Sequence, residues 1–292
     1  MHIEHIGAIR TDLGECPVWD ADRQRLWLAD CRHGLIYRID PKRGSHRTYE
    51  LPAPLGSFAL NDDDSLVVAL KEEVAVYVPS SGTLERLARI DDTHPDLRLN
   101  DGAAMPDGSF VVGTMHVGRA PGDAPLGGLY RLDPAGCFAR LDRGLGVVNG
   151  PVSHPWRAEL HVADSAARAM YRYDFDAMGN LGARTLFVDT APYGSAPDGC
   201  CFDRDGGLWT ALVHQGAIVR FDAEGRLSHR IALPVAHPTS LCFGGPALED
   251  IYVTSIRDSG RLRARGSLDG ALLRLRDPGF CGAARPRCRI PF

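Results

Sequence analysis

The sequence lacks the features that mark membrane proteins and nucleic-acid-binding proteins. Nowhere in its 292 residues do about 18 uninterrupted apolar residues occur, and Glu4, Arg10 and Asp12 interrupt the beginning of the chain. It has no long basic run and a net charge of −4, so the electrostatic footprint needed for nucleic acid is missing. We therefore expect a cytoplasmic protein with no nucleic-acid and no membrane partner.

Cysteine pairs and common catalytic motifs are missing as well. The eight cysteines form no C-x-x-C pair and no cysteine–histidine zinc spacing. We predict free, mostly buried thiols, with Cys281 and Cys288 as the one pair left open as a disulfide. The chain contains no G-x-S-x-G, H-E-x-x-H, P-loop or strand-linked G-x-G-x-x-G motif, so it gives no support to sites of those kinds.

Turn-forming residues are abundant instead, and they recur with a period. The 32 glycines and 20 prolines favour many short strands over a few long helices. A unit of two apolar strands joined by a polar turn, followed by a third strand of the type G-x-[LIV]-[YV]-R-[LIF]-D, occurs six times. Equivalent positions lie 41 to 49 residues apart, at Val18, Ala59, Ala104, Val152, Cys201 and Cys242. This period predicts an all-β fold, a six-bladed β-propeller with four strands in each blade.

The two ends of the chain lie outside the six repeats. We expect residues 2–10 to pair with a blade built from the C-terminal end, which closes the ring and removes its free edges. Residues 1–292 then form a single propeller domain. The short basic tail Arg285–Arg289 is predicted to be a solvated surface stretch.

Ring symmetry turns the repeat into a prediction of a site in the central channel. The residues three places before the equivalent positions lie in loops that a propeller aims at its axis. Glu15, Asp101, Asn149 and Asp198 are oxygen donors at this phase, and Asn100 adds another one place earlier. Carboxylates crowded round a channel need protons or a cation, and oxygen ligands favour Ca²⁺, Mg²⁺, Mn²⁺ or Fe²⁺ over Zn²⁺. The alternative is that these residues are turn formers only.

Other polar residues are predicted at the same mouth of the channel. Arg98 lies two places before Asn100, and His116 and His214 follow second strands that return to this face. Either histidine could hydrogen-bond a polyol or move a proton, although loop histidines are more often solvated without a role. Arginine, asparagine and histidine around the mouth favour a polyol over an aromatic substrate.

Several motifs in a fixed order carry a family resemblance. They are L-G-E-C-P-V-W-D (13–20), R-L-N-D-G (98–102), P-D-G-S-F-V-V-G-T-M (106–115), G-V-V-N-G-P (146–151), V-A-D-S (162–165), A-P-D-G (196–199) and P-T-S-L-C-F-G-G (238–245). Through these motifs the chain resembles, from about Leu13 to Ser255, the regucalcin/gluconolactonase family of the senescence marker protein and luciferin-regenerating enzyme type.

The resemblance implies a site and an activity. It implies one divalent cation in the channel of a six-bladed propeller, held by Glu15, Asn149 and Asp198. Arg98 and Asn100 match the family's substrate contacts, and Asp198 matches its proposed acid/base. The activity implied is hydrolysis of a sugar lactone to the aldonic acid in carbohydrate catabolism.

The chain departs from the family pattern at several positions. Cys16 stands where the family usually has glycine, beside the first expected ligand, and Cys200 and Cys201 stand where apolar residues are usual. His116 and Val117 replace an acidic residue that often contacts substrate hydroxyls. We place His116 among the substrate contacts and expect a substrate other than the family's best-known one.

The sequence thus predicts a metal-dependent sugar lactonase, a hydrolase of carboxylic esters. Its cofactor is one divalent cation (Ca, Zn, Mn, Fe or Mg), its partner is a small sugar lactone, and its state is a monomer or weak homo-oligomer. A metal-polarised carbonyl and Asp198, which takes the proton of water and delivers it to the ring oxygen, would carry the reaction. The alternatives are a non-catalytic Ca-binding propeller and a metal-dependent aryl-ester or organophosphate hydrolase, because the fold alone does not fix a function.

Overall fold

The fold is a ring of small antiparallel sheets. A computed structural model of the chain describes residues 1–91, 94–120, 122–176 and 180–292. Within these residues 24 strands form six four-stranded sheets, and one short 3₁₀ helix spans Ala191–Tyr193. The six sheets confirm the predicted all-β, six-bladed β-propeller.

The blades are numbered here in the chain order of their innermost strands. The first strand of the chain is β1 (His2–Arg10). Blade 1 contains β2 (Gly14–Asp20), β3 (Arg25–Asp30), β4 (Leu35–Asp40) and β5 (Ser45–Glu50). Blade 2 contains β6 (Ser57–Leu60), β7 (Leu66–Ala69), β8 (Glu73–Val78) and β9 (Thr83–Arg89). Blade 3 contains β10 (Leu97–Ala104), β11 (Phe110–His116), β12 (Gly127–Leu132) and β13 (Phe138–Leu145). Blade 4 contains β14 (Val148–Ser153), β15 (Glu159–Asp164), β16 (Ala169–Asp174) and β17 (Thr185–Asp189). Blade 5 contains β18 (Pro197–Phe202), β19 (Leu208–Leu212), β20 (Ala217–Phe221) and β21 (Leu227–Ala232). Blade 6 contains β22 (Pro238–Gly244), β23 (Asp250–Ser255) and β24 (Ala271–Arg276).

The first strand of the chain completes the last blade. β1 pairs antiparallel with β24, with Ile3 opposite Leu275 and Glu4 opposite Arg274. The ion pair between Glu4 and Arg276, at 2.8 Å, lies on the same edge. The predicted closure of the ring by residues 2–10 is therefore confirmed.

The apolar core lies between the blades. Each of six large clusters joins two neighbouring sheets, as where Val67 and Val76 of blade 2 pack with Phe110 and Val112 of blade 3. A buried side chain of this size stabilises the fold by roughly 1.5–3 kcal/mol relative to an exposed one. The packing therefore fixes how neighbouring innermost strands sit around the channel.

The basic tail is not a solvated stretch, so that expectation was wrong. Arg285 donates to the carbonyl oxygens of Cys200 at 2.8 Å and of Leu241 and Pro17 at 3.4 Å, and so joins blades 5, 6 and 1. Farther along, Cys288 and Ile290 bond to blade 2. The tail is held by hydrogen bonds to backbone groups at the far ends of the innermost strands. Every residue carries such backbone groups, so a charge pattern in the sequence does not predict these contacts. The tail helps to line a cavity of about 410 Å³ at the end of the channel opposite the predicted site.

The cysteines are free, as predicted. Cys281 and Cys288, the pair left open above, form no disulfide, and Cys288 is fully buried. Within the ranges described above, no helix has the length and apolar character needed to cross a bilayer.

Candidate functional site

β-Bulges on the innermost strands carry the polar residues predicted to face the channel. The pairing shifts after Glu15 in blade 1 and after Asn149 in blade 4. In blades 3 and 5 the shift includes Asn100 and Asp198 themselves. A bulge breaks the alternation of a strand and re-aims the side chain beside it. Four blades therefore present an oxygen-bearing side chain at the same level of the ring.

Glu15 and Asp198 form an acidic pair in this ring. Among the described residues, Glu15 Oε2 and Asp198 Oδ1 are buried and have no hydrogen-bond partner. Burial raises the pKa of both carboxyl groups well above the usual range, and the charge of Asp198 raises that of Glu15 further. Buried acceptors without donors are costly, and a divalent cation would satisfy both oxygens.

Asp101 lies near this pair but is bonded to the backbone. Its two carboxylate oxygens accept the N–H groups of Gly102 at 2.9 Å and Gly150 at 2.7 Å, and one also contacts the Cys16 thiol at 3.4 Å. Gly150 has a φ of +51°, a conformation that glycine adopts at little cost. Asp101 thus joins blades 3, 4 and 1 below the open carboxylates. Burial raises its pKa, although these hydrogen bonds oppose the shift.

A chain of hydrogen bonds fixes the two asparagines. Asn100 Nδ2 donates to Asn149 Oδ1 and to the carbonyl oxygen of Val148, both at 2.8 Å. Asn149 Nδ2 donates to Ser165 Oγ at 2.8 Å, which in turn donates to the carbonyl oxygen of Pro197 at 2.6 Å. The chain links blades 3, 4 and 5 and holds the Asn149 side chain in place. Glu15, Asn149 and Asp198 thus offer an oxygen donor set that fits a hard divalent cation.

Arg98 is half-buried at the start of β10. Its guanidinium donates to the carbonyl oxygen of Leu99 at 2.8 Å, and no carboxylate of the described residues forms an ion pair with it. Burial lowers the pKa of Arg98, while the nearby Glu15 carboxylate opposes this shift. A guanidinium without an acidic partner beside the acidic pair is a ready donor to oxygen atoms of a bound molecule.

Two aspartates that the sequence places near the mouth, without indicating their role, position the loops that lead to Glu15 and Asn149. Asp30, at the end of β3, accepts the backbone N–H groups of residues 12 and 13 at 2.8 and 3.3 Å. Asp164, at the end of β15, accepts those of residues 146 and 147 at 2.8 and 3.0 Å. The signal was the shared ending Ala-Asp of the two second strands. Both aspartates act through the backbone and do not project into the site as ligands.

His116 and His214 occupy different surroundings at this face. His116 ends β11, is 6% exposed, and donates its backbone N–H to the carbonyl oxygen of Gly146 at 3.0 Å. Its ring contacts that of His94 edge-on, with 5.7 Å between the ring centroids. His214 Nδ1 accepts the backbone N–H of Ala196 at 3.3 Å, so this histidine helps to hold the loop before Asp198.

Comparisons with known proteins find similar sequences along most of the chain. A family model described as "SMP-30/Gluconolactonase/LRE-like region" matches residues 13–257. The chain is 35% identical over 248 residues to the 6-deoxy-6-sulfogluconolactonase of Pseudomonas putida, with 85% of this chain and 84% of that protein covered. It is 34% identical over 270 residues to pentonolactonase XacC of Haloferax volcanii, with 90% of each chain covered.

A solved structure shows the same fold at lower sequence identity. Regucalcin from Agrobacterium tumefaciens, described as a calcium-binding protein, superposes with a TM-score of 0.85. The alignment covers 99% of this chain and 98% of that chain at 22% identity. The likeness extends over the complete ring of six blades.

Proposed function

The chain belongs to the SMP-30/gluconolactonase/LRE-like family, and from this premise we propose that it hydrolyses a sugar lactone to the aldonic acid with one divalent cation bound in the channel. It is an enzyme of the class that hydrolyses carboxylic esters. The observation that carries the proposal is the pair of buried oxygens of Glu15 and Asp198, which have no partner among the described residues, near the guanidinium of Arg98.

Glu15, Asn149 and Asp198 would hold the cation. Two carboxylates offset the charge of a divalent ion, and the amide oxygen adds a neutral ligand. This oxygen set favours a hard ion such as Ca²⁺, Mg²⁺ or Mn²⁺, and the calcium-binding description of the Agrobacterium protein supports a metal in this fold. When bound, the ion would polarise the lactone carbonyl and ease deprotonation of water.

Asp198 is the acid/base of the proposed reaction. One carboxylate oxygen of Asp198 would bind the cation, and the other could accept a proton from the water that attacks the carbonyl carbon. As the ring C–O bond breaks, the same proton passes to the departing ring oxygen. The carbonyl of Asp198 accepts the Thr210 hydroxyl at 3.2 Å, which holds the backbone in place for both transfers.

Arg98, Asn100 and His116 would bind the sugar. Both amide hydrogens of Asn100 have acceptors within reach, so its Oδ1 is the atom that can accept a hydrogen bond from a sugar hydroxyl. Arg98 would donate to hydroxyl or carbonyl oxygens at the opening of the channel. His116 ends β11 at the same face, and one nitrogen of its imidazole would hydrogen-bond the sugar.

A proton-release assay over five- and six-membered aldonolactones tests the proposal. The panel includes pentonolactones and a lactone with a 6-sulfonate, and the protein is used as purified, after chelation, and after restoration with Ca²⁺, Mg²⁺, Mn²⁺, Fe²⁺ or Zn²⁺. We expect turnover to disappear on chelation and to return with metal. Asp198→Asn should lower turnover by at least about 100-fold, whereas Asp205→Asn, an exposed change at the far end of the same blade, should leave it unchanged.

The alternatives give different results in the same assay. A cation that raises the melting temperature without any hydrolysis would support a non-catalytic metal-binding propeller. Hydrolysis of aryl esters or phosphotriesters with no turnover of lactones would instead support a metal-dependent aryl-ester or organophosphate hydrolase. Unchanged lactone turnover in Asp198→Asn would contradict the role given to this residue.

A further inference from the structure

A group of potential metal ligands lies at the rim of the channel mouth, outside the acidic pair. His94 and Asp96 precede β10, and His116 ends β11. The pairing of Leu97 with His116 brings the two segments side by side. One ligand atom from each of the three side chains lies within 4.8 Å of the other two. No short sequence spacing indicates this group, because about twenty residues separate His94 and Asp96 from His116.

His116 provides the observation that points to a ligand. His116 is only 6% exposed. Its Nδ1 is a buried atom with no hydrogen-bond partner in the part of the chain that the structure describes. A buried imidazole nitrogen normally bonds to protein, water or metal. The ring of His94, which could share a metal ion with it, lies at 76° to the His116 ring with 5.7 Å between the ring centroids.

The backbone around the group is already fixed. The backbone N–H of Val117 donates to the carbonyl oxygen of Asp96 at 2.6 Å, and that of Asp96 donates to His94 Nδ1 at 3.3 Å. Gly118 leaves space for the Asp96 carboxylate, because a Cβ at this glycine would lie 2.9 Å from Asp96 Oδ2.

We propose that His94, Asp96 and His116 form a second divalent-cation site that takes a borderline ion of the Zn²⁺ class. Two imidazoles and a carboxylate suit such an ion, whereas the all-oxygen set in the channel suits a hard one. Zinc bonds of about 2.0–2.2 Å place tetrahedral ligand atoms roughly 3.4 Å apart. Ligand atoms that are up to 4.8 Å apart must therefore approach one another by as much as about 1.4 Å. His94 and Asp96 are exposed and can make this adjustment. Three protein ligands leave one position for water or another oxygen ligand.

Metal titration of the complete protein tests the site. Chelator-stripped protein is first saturated with Ca²⁺, so that the channel is filled, and is then titrated with Zn²⁺ or with Co²⁺ as a spectroscopic probe. We expect one additional equivalent per chain, with a visible Co²⁺ spectrum of mixed nitrogen and oxygen ligation. His94→Ala and Asp96→Asn should each weaken this binding by at least about tenfold. Loss of a residue that only hydrogen-bonds a metal ligand already lowers metal affinity by about that factor.

Controls separate this site from the channel and from surface histidines. His33→Ala removes an exposed histidine that bonds Asp12 at 2.7 Å, and it should leave the additional equivalent unchanged. Asp198→Asn should weaken Ca²⁺ binding and retain the Co²⁺ spectrum, so failure of the channel proposal would not remove this result. The inference is overturned if Zn²⁺ only displaces Ca²⁺ from the channel, or if the His94 and Asp96 variants bind the additional Zn²⁺ as tightly as the parent protein does. It is also overturned if His33→Ala weakens this Zn²⁺ binding as much as those variants do.

Discussion

Arg285 is the residue of the tail whose loss should cost the fold most. Its guanidinium lies where the ends of three innermost strands meet and donates to one backbone carbonyl in each of blades 1, 5 and 6. The same charge opposes the rise that burial produces in the pKa of Asp101. Arg285→Met keeps most of the aliphatic length of the side chain and removes all of these interactions.

The size of the effect follows from these contacts. A hydrogen bond to a charged group contributes about 1.5–3 kcal/mol, and the bond to Cys200 at 2.8 Å has the geometry of a full one. The two bonds at 3.4 Å are long and contribute less. We expect Arg285→Met to lower the free energy of unfolding by about 3 kcal/mol, which for a chain of this size lowers the melting temperature by about 6 °C.

Thermal and urea unfolding of the calcium-saturated protein measure this loss. Arg289→Met is the matched control, because Arg289 also donates to a backbone carbonyl, that of Asp107 at 2.8 Å, but is exposed. The control should lose less than about 1 kcal/mol. Equal unfolding curves for Arg285→Met and Arg289→Met would refute the conclusion that the tail ties the blades together at this point.

Two further predictions concern buried titratable groups. In chelated protein at neutral pH, Glu15→Gln should raise the melting temperature, because it removes one of the buried carboxyl groups that crowd the channel. The rise in melting temperature on adding Ca²⁺ should be smaller in this variant than in the parent. A lower melting temperature of the chelated variant would contradict this reasoning. Burial lowers the pKa of His161 to about 4, so the stability that its neutral form provides is complete above about pH 6.5 and is lost as the pH falls toward 4. This loss amounts to about 3 kcal/mol. The free energy of unfolding, measured in urea, should therefore fall less between pH 7 and 4 in His161→Leu than in the parent protein. An equal fall in both proteins would show that other groups cause the pH dependence.

The ring could be predicted from the sequence because each blade is local in the chain. The second and third strands of a blade follow the first within a few dozen residues, so turn chemistry and apolar strands repeat with a readable period. The pairing of β1 with β24 was also predictable, since a propeller with an unpaired strand at each end has one obvious way to close.

The tail and the rim could not be predicted, because their contacts join residues that are distant in sequence. Arg285 bonds to backbone carbonyls, which carry no sequence signal, and one of them, at Pro17, lies 268 residues earlier. His94 and Asp96 meet His116 only through the register of β10 on β11. In both cases the residue types were visible and their partners were not.

Asn100 and Asp101 show why spacing locates the region of a site without assigning its atoms. In a regular strand, neighbouring residues point to opposite faces. Both residues lie inside the bulge of β10, and both bond to the bulge region of β14: Asn100 to Asn149 at 2.8 Å, and Asp101 to the N–H of Gly150 at 2.7 Å. The backbone N–H groups occupy the Asp101 carboxylate, whereas Glu15 and Asp198 keep an unpartnered oxygen among the described residues. Carboxylates at one phase of the repeat therefore divide into a structural one and two that can act on a ligand, and the backbone N–H groups that bond to Asp101 make the difference.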